Sequence, residues 1–264
     1  MKTHALICLS SLALGLALSS RAQAPATVYA VVDYMKVPKD KAADYVEVEG
    51  LWKKIHEKRL EKGIIEAWYF YQVENAQRDS RDYQYVTVTV FDSFAKLENP
   101  FPAEVFSSAY SPEDLQKHMK KTGESRDLIR SEVWHLESAA MKAPDSSNDR
   151  PYITVDYMQP TPGKNAQYQE LETKIFQKLQ QERINRKIMD GWFFLSRTFP
   201  GGSEVPYEYI TVNVYPGADK VSTWPDDLLK SVFPDEDITK RGAPDDYRKV
   251  VKEDVWKRLD QVKK

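Results

Sequence analysis

The sequence predicts an α+β protein that consists of two consecutive copies of one domain. The first observation is that two strand-like segments recur: the sequence of residues 29–35 resembles that of residues 152–158, and the sequence of residues 85–91 resembles that of residues 209–215. Secondly, every match keeps its order and an almost constant separation along the chain. Thirdly, each copy alternates short β-branched runs with a longer stretch of helical periodicity. A tandem duplication of one unit explains these three observations together.

Residues 1–22 are predicted to be a signal peptide. Lys2 and His4 precede an apolar stretch over residues 5–18, and Ala22 offers a small-residue cleavage site. The apolar stretch is shorter than the roughly 20 residues that span a bilayer. Cys8, the single cysteine, lies within this segment, so the mature chain is expected to have no disulfide. We therefore expect a periplasmic or secreted protein with no membrane span.

The charge pattern argues against nucleic acid as a partner. The net charge is −2, and acidic and basic residues are interspersed along the whole chain. A nucleic-acid-binding domain usually concentrates lysine and arginine on one face. A small hydrophobic or aromatic ligand is the more natural partner, bound by a monomer or homodimer that already contains an internal pseudo-dimer.

Each copy begins with a strand and a long helix. Residues 28–35 alternate in polarity as a strand does, and Pro38 marks the end of this strand. A helix follows over residues 39–62, where Val48 and Ile55 belong to an apolar stripe and Gly63 is the predicted stop. The stripe of the second copy includes Leu171, Ile175 and Leu179.

The rest of the copy adds three strands and a second helical region. Strands are predicted over residues 64–73, 85–91 and 128–136, the first two joined by a hairpin loop over residues 74–81. A helical region over residues 103–121 is interrupted at Ser111 and Pro112. The order strand, helix, strand, strand, helix, strand is the βαββαβ pattern of ferredoxin-like domains. The two domains are predicted at residues 27–140 and 151–262, with residues 141–150 as a linker.

Tryptophan residues also occur at equivalent positions in the strands of both copies, Trp68 and Trp192 in one strand and Trp134 and Trp256 in another. With the element order and the duplication, they make the chain resemble the dimeric α/β-barrel superfamily, in particular the antibiotic-biosynthesis monooxygenase-like and EthD-like families. The resemblance implies that the two ferredoxin-like domains pack sheet to sheet as a pseudo-dimeric α/β barrel. It also implies two possible activities: cofactor-free oxygenase or isomerase chemistry, or haem binding and degradation.

Strand periodicity predicts which residues face a pocket, because side chains on a strand alternate between its two faces. One face of the first and third strands carries short aliphatic residues, which suit packing beneath helices. The other face carries aromatic rings, hydroxyls and one carboxylate per copy, a composition typical of a small-molecule site in the barrel interior. The predicted ligand-binding residues are Tyr29, Tyr85, Thr87, Thr89, Tyr152, Thr154, Tyr209, Thr211 and Asn213.

Asp33 and Asp156 are the candidate catalytic residues. Aspartate is disfavoured within a strand, yet both copies carry one at the matched position. One hypothesis is a partly desolvated carboxylate with a raised pKa, which acts as a general base. The alternative is a structural aspartate at the strand end, bonded to backbone amides of the following loop.

The remaining candidates are weaker. Arg59 and Arg183 lie at the edge of the helical stripe and are expected to cover the core with their stems while the charged heads remain in water. The histidines fit no metal-site spacing, so no metal is expected. No cofactor is expected either; haem is the minority alternative, with His118 as its axial ligand. The preferred hypothesis is therefore an exported small-molecule-binding protein of undetermined activity.

Overall fold

The structure, a computed structural model, describes residues 27–76, 83–142, 152–202 and 205–263. The predicted signal peptide and most of the predicted hairpin loop and linker lie outside these residues. In the first half, strand β1 (Tyr29–Lys36) leads through a short 3₁₀ turn into helix α1 (Ala42–Glu61). The strands β2 (Ala67–Ala76) and β3 (Tyr85–Phe91) follow. The helices α2 (Ala103–Ala109) and α3 (Pro112–Ser125) then lead to strand β4 (Asp127–Met141).

The second half repeats this order of elements. Strand β5 (Tyr152–Pro160) precedes a helix made of α4 (Asn165–Glu170), a π-helical turn (Leu171–Phe176) and α5 (Gln177–Asn185). Strands β6 (Gly191–Phe199) and β7 (Tyr209–Tyr215) come next. The short helix α6 (Leu228–Val232) and strand β8 (Arg248–Lys263) end the described chain.

The eight strands close into one barrel in the order β1-β3-β2-β8-β5-β7-β6-β4. All neighbouring strands are antiparallel, and each half contributes four of them in the relative order fourth, first, third, second. The halves are joined by two equivalent pairs, β2 with β8 and β4 with β6. The registers also correspond, since Asp33 lies opposite Thr87 and Asp156 lies opposite Thr211. The barrel is thus closed by hydrogen bonds between the two halves, with no open edge strand between them.

The barrel interior is filled by side chains from both halves. An eight-stranded barrel is only wide enough for its own side chains or one small ligand. Here Tyr34, Trp134 and Tyr157 are completely or almost completely buried within one cluster. Its other members are aliphatic and aromatic residues of the strands and of the segments just before β3 and β7: Ala30, Val32, Tyr71, Tyr83, Val86, Ile153, Val155, Leu195, Tyr207, Ile210 and Trp256.

The opposite sheet face packs beneath the helices. In the first half, Tyr45 of α1 packs with Trp68, Phe70 and Tyr85 of the sheet. In the second half, a corresponding cluster contains Tyr168, Trp192, Phe194 and Tyr209. The sequence-based assignment of the two faces is therefore wrong: the short aliphatic residues line the barrel, and the face with hydroxyls and aspartates lies under the helices.

The physical reason is that both sheet faces are covered, so neither needs to be charged. Alternation then separates two buried sides without indicating which side faces the barrel. The aliphatic residues suit the crowded interior, where they pack around the large Trp and Tyr rings. The hydroxyl and carboxylate groups lie where polar residues of a helix meet the sheet.

The two long helices differ by a single inserted residue. Glu172 lies 123 positions after Glu49, whereas Arg183 lies 124 positions after Arg59. The π-helical turn Leu171–Phe176, which contains Glu172 and ends before Arg183, accommodates the additional residue. Such a turn widens the helix locally while preserving which side faces the sheet. The buried positions before and after the insertion therefore remain equivalent in the two halves.

Gly63 ends α1, as predicted, with a left-handed backbone at φ 66°. The amides of Gly63 and Ile64 donate to the carbonyls of Leu60 and Arg59. The matching position after α5 is Lys187, which adopts φ 59° with the same pattern of backbone hydrogen bonds. A side chain is disfavoured in this conformation, so Lys187 is a locally strained residue. No helix within the described ranges is long and apolar enough to cross a membrane.

Candidate functional site

The predicted site residues gather in two separate clusters, one in each half, between the sheet and its helices. Asp33, Tyr85, Thr87 and Thr89 lie on the helix-facing side of β1 and β3. In the second half the same side of β5 and β7 carries Asp156, Thr154, Tyr209, Thr211 and Asn213. Tyr29 and Tyr152 lie apart from these clusters, at the first residues of β1 and β5. The expectation that these residues line the barrel interior is wrong, and their role in ligand binding stays a prediction.

In the second half, the carboxylate of Asp156 is held by side chains of the neighbouring strand. The hydroxyl of Thr211 donates to its Oδ2 atom at 3.0 Å, and Nδ2 of Asn213 donates to the same atom at 3.1 Å. Asn213 also donates to the hydroxyl of Thr154 at 3.0 Å. These partners are side chains, so the alternative that Asp156 binds amides of the following loop is wrong.

The helix above supplies a second carboxylate and a phenol. Glu172 and Tyr168 belong to the same helical face, four residues apart, and both are almost fully buried. The Tyr168 hydroxyl has no hydrogen-bond partner among the described residues, and the Nε atom of Arg248 at the start of β8 has none either. Two carboxylates, one arginine and one phenol thus lie close together between sheet and helix in the second half.

The first half places the same residue types at the matched positions. Tyr45 and Glu49 of α1 lie over Asp33, and Arg126 precedes β4. The Tyr45 hydroxyl and the Nε atom of Arg126 have no hydrogen-bond partners in the described part of the chain. Buried polar atoms are normally satisfied, so repeated exceptions at equivalent positions are informative. Each tyrosine hydroxyl acts on the glutamate four residues further along its helix, so the arginine Nε atom is the donor in each half that can receive an oxygen atom of a ligand.

Burial brings the carboxyl groups close to neutrality. Desolvation raises the pKa of Glu172 to about 7; nearby Asp156 adds to the rise, while Arg248 and the Tyr168 hydroxyl oppose it. Glu49 behaves in the same way, and burial raises its pKa to about 7. The pKa of Asp156 rises to about 6, first through desolvation and then through the carboxylate of Glu253. Desolvation also raises the pKa of Asp33, against the effects of Ser131, Arg126 and Arg59.

Groups with pKa values near 7 can both release and accept a proton at physiological pH. The two aspartates are only half-buried, so solvent and small molecules reach them more easily than the glutamates behind them. Each cluster can therefore accept a proton at the aspartate, share it with a buried glutamate, and donate hydrogen bonds from arginine and tyrosine.

The sequence interpretation missed the helical members of the clusters. Tyr45 and Glu49 are identical in type to Tyr168 and Glu172, and Arg126 is identical in type to Arg248. Polar residues that recur in both copies on the apolar side of a helix were the available signal. A buried glutamate on a helix has no sequence motif of its own, so the repetition is the only local sign of these residues.

The barrel interior holds a different polar network, on the axis between the halves. The Tyr34 hydroxyl donates to Glu132 at 2.9 Å and lies 3.2 Å from the Tyr157 hydroxyl. Tyr207 of the second half donates to Glu132 at 2.6 Å. In the equivalent arrangement, Tyr83 of the first half donates to Asp254 of the second.

Two cations balance the charge of this interior network. Arg130 lies 2.9 Å from Glu132, and Lys252 lies 2.9 Å from Asp254. Each buried carboxylate thus has a cation and a tyrosine partner, whereas Nη2 of Arg130 and the indole Nε1 atoms of Trp134 and Trp256 have no hydrogen-bond partner among the described residues. This network links the two halves.

Arg59 and Arg183 are almost fully buried, so the expectation of charged heads in water is wrong. Arg59 donates from Nε to the carbonyl of Pro100 at 2.8 Å, and its guanidinium lies over the Phe101 ring at 3.9 Å. Arg183 donates to Gln180 at 2.6 Å and to the carbonyl of Thr223 at 2.8 Å. Both guanidinium groups anchor the segment after β3 or β7 to the helix.

The histidines do not provide a built haem site. His118 is partly exposed on α3 and packs edge-on against the Tyr110 ring, 4.3 Å between centroids. The buried His56 already engages Arg59 through Nδ1 at 2.9 Å and stacks on Trp68. These residues therefore do not fit haem, and no step is assigned to it. Among the described residues, no group of His, Cys, Asp and Glu could hold a metal ion.

No family model and no curated protein matches this sequence. Two solved structures overlap with nearly the whole chain, and both bear the name "putative monooxygenase". The protein from Lactobacillus acidophilus NCFM has a TM-score of 0.53 and 10% identity, over 89% of this chain and 93% of its own. The protein from Fusobacterium nucleatum has a TM-score of 0.54 and 12% identity, over 90% and 95%. Identities this low indicate a shared fold alone, here an eight-stranded antiparallel barrel flanked by helices.

Proposed function

We propose that this protein is a cofactor-independent acid–base enzyme that uses the clusters of polar residues between the sheet and its helices. The observation that carries the proposal is the repeated set of a half-buried aspartate, a buried glutamate, an arginine and a buried tyrosine at matched positions in the two halves. The preferred expectation from the sequence, a ligand held inside the barrel, is given up because side chains fill that space.

The substrate class follows from the groups present. A carboxylate with a raised pKa can remove a proton from carbon only when that carbon is already acidic. A carbon beside a carbonyl or within an aromatic ketone meets this condition, because its electron pair moves onto oxygen. In the second half, Arg248 and Tyr168 are the donors that would stabilise this oxygen as it becomes negative.

The proposed step is balanced without a bound cofactor. The C–H bond breaks, its proton goes to the free oxygen of Asp156, and its electrons form an enolate. Return of the proton to a different carbon is isomerisation. If dioxygen is the co-substrate instead, a CH₂ group becomes a carbonyl: one oxygen atom enters the product and the other leaves as water with the two hydrogens. The names of the two structural neighbours favour the oxygenase version without deciding it.

Hydrogen exchange at carbon tests the common first step. We would incubate the protein with anthrone, an aromatic ketone with an activated CH₂ group, in D₂O under nitrogen, and follow deuterium uptake by mass spectrometry. We expect the wild type to accelerate exchange, and the Asp33→Asn, Asp156→Asn double variant to lose roughly 100-fold or more of it. Exposed Asp219→Asn is the control and should exchange like the wild type. An unchanged rate in the folded double variant would contradict the proposal.

We also propose that the chain arose by tandem duplication of a ferredoxin-like unit and that it is exported. The duplication is supported by the equal strand order of the halves, their corresponding registers and their matched polar clusters. Export rests on the sequence of residues 1–22 alone.

A further inference from the structure

The two clusters differ at three strand positions, although their helical residues agree. Asn213 of β7 corresponds to Thr89 of β3, and Thr154 of β5 corresponds to Val31 of β1. The third difference lies on the other neighbouring strand, where Asp156 is opposite Glu253 and Asp33 is opposite Ser131. Each difference alters the immediate surroundings of the aspartate.

Asn213 fixes the orientation of the Asp156 carboxylate. Together with Thr211 it occupies Oδ2, whereas Oδ1 has no hydrogen-bond partner in the described residues. The amide nitrogen of Asn213 is itself positioned by Thr154. In the first half, a threonine and a valine at the corresponding positions lack the amide and the hydroxyl that form this clamp. One carboxylate oxygen is thereby left free in a defined direction only in the second half.

The charges around the two aspartates differ as well. The groups that face Asp156 are Glu253 and Arg248 of β8, Glu172 and Tyr168 of the helix, and Thr211 and Asn213 of β7. The groups that face Asp33 are Arg126, which precedes β4, Ser131 of β4, Thr87 of β3, and Arg59, Glu49 and Tyr45 of α1. Asp33 thus has two arginines and one other carboxylate nearby, whereas Asp156 has one arginine and two carboxylates.

We infer that the second half carries the working base, with Asn213 as the positioning residue of Asp156 and Glu253 as the neighbouring carboxylate that favours proton uptake by Asp156. The inference rests on the proposed function. In the first half, Arg126 and Arg59 oppose the effect of burial on the pKa of Asp33, and no asparagine among the described residues clamps its carboxylate. This cluster therefore binds and orients a ligand rather than accepting a proton. The two halves are then specialised copies and not two redundant sites.

Reciprocal substitutions between the halves test this assignment. Glu253→Ser gives Asp156 the neighbour of Asp33, and Ser131→Glu does the reverse. Both positions are exposed, so both variants are expected to fold. The readout is the pH titration of the aspartate carboxyl carbons by ¹³C NMR, with signals assigned from Asp33→Asn and Asp156→Asn. We expect Glu253→Ser to lower the Asp156 midpoint by about one pH unit, and Ser131→Glu to raise that of Asp33 by a similar amount.

Asn213→Thr tests the positioning role separately. It should reduce the maximal rate of anthrone exchange about tenfold while half-saturation by anthrone stays unchanged, because the base is misdirected but the binding surface is intact. Exposed Asp219→Asn, which lies outside both clusters, is the control and should leave the exchange rate as in the wild type. If Asn213 has only a structural role, Asn213→Thr should lower thermal stability, and the maximal exchange rate should not fall selectively while half-saturation by anthrone stays unchanged.

The outcomes separate this inference from the function on which it rests. If Asp33 and Asp156 titrate together near neutrality and Glu253→Ser moves neither, the specialisation is overturned and the proposed acid–base function stands. If both aspartates and both buried glutamates titrate below pH 5, the proposed function itself fails. If Asp156→Asn leaves exchange intact and Asp33→Asn abolishes it, the assignment of the halves is reversed.

Discussion

Replacing Glu172 by glutamine should stabilise the protein in a pH-dependent way. The side chain is almost fully buried beneath the sheet, and burial raises its pKa from 4.5 to about 7. The folded state therefore holds this proton more tightly than the unfolded chain does. By linkage, the contribution to stability is complete below about pH 4.5 and is lost as the pH rises to about 7. Glutamine has the same shape and does not titrate.

The magnitude follows from the two pKa values. The interval from 4.5 to about 7 corresponds to about 3 kcal/mol, at about 1.4 kcal/mol per pH unit. We expect Glu172→Gln to match the wild type within about 1 kcal/mol at pH 4.5. At pH 8 the free energy of unfolding of the variant should exceed that of the wild type by about 3 kcal/mol. The equivalent Glu49 remains in both proteins, so its own pH dependence cancels in the difference.

Urea unfolding followed by tryptophan fluorescence at several pH values between 4.5 and 8 measures this difference. Glu170→Gln is the control, because Glu170 is an exposed residue of the same helix that pairs with Lys174. A surface pair of this kind contributes at most about 1 kcal/mol, so the control should show no trend above pH 5. A difference between Glu172→Gln and the wild type that stays constant over this range would refute the assignment of a near-neutral buried carboxyl.

Three further predictions concern other parts of the molecule. Both Lys187 and Gly63 have a left-handed backbone, so in urea unfolding Lys187→Gly should stabilise the protein by about 1 kcal/mol and Gly63→Ala should destabilise it by a similar amount. A Lys187→Gly variant that is less stable than the wild type would contradict the strain at Lys187. Tyr34→Phe should cost about 1–2 kcal/mol in the same assay without reducing anthrone exchange, since its hydroxyl serves the buried network that links the halves. Finally, the intact mass of protein recovered from the periplasm of an expressing bacterium should correspond to cleavage after Ala22, and recovery of uncleaved cytoplasmic chain would count against export.

Several elements were predictable because their signals are local. The strand Tyr85–Phe91 has the predicted bounds, since its β-branched alternation is bordered by polar residues. The break at Ser111 was also predicted, and the Ser111 hydroxyl accepts from the Asp114 amide at the start of α3. Strand β4 runs five residues beyond its predicted end at 136, because its last residues pair with β6 of the other half. A pairing between distant segments leaves no local signature.

The candidate site could be predicted only in part, for a related reason. Asp33 and Asp156 were recognised because an aspartate is unusual in a strand. Their surroundings were misjudged because which face of a doubly covered sheet meets the helices depends on barrel closure. Glu49 and Glu172 lie on the apolar side of a helix, where only the folded packing reveals that they meet the aspartates. The repetition of these residues in both copies is the one clue that the sequence offers.

The central claim is that the functional site lies between sheet and helices and not within the barrel. The most direct measurement is a titration of ¹⁵N-labelled protein with anthrone under nitrogen, with changes in the backbone amide signals mapped along the chain. We expect the perturbed signals to cluster at Asp156, Tyr168, Glu172 and Asn213 and at their first-half counterparts. Perturbations confined to the barrel residues around Tyr34 and Tyr157, or none at saturating anthrone, would contradict it.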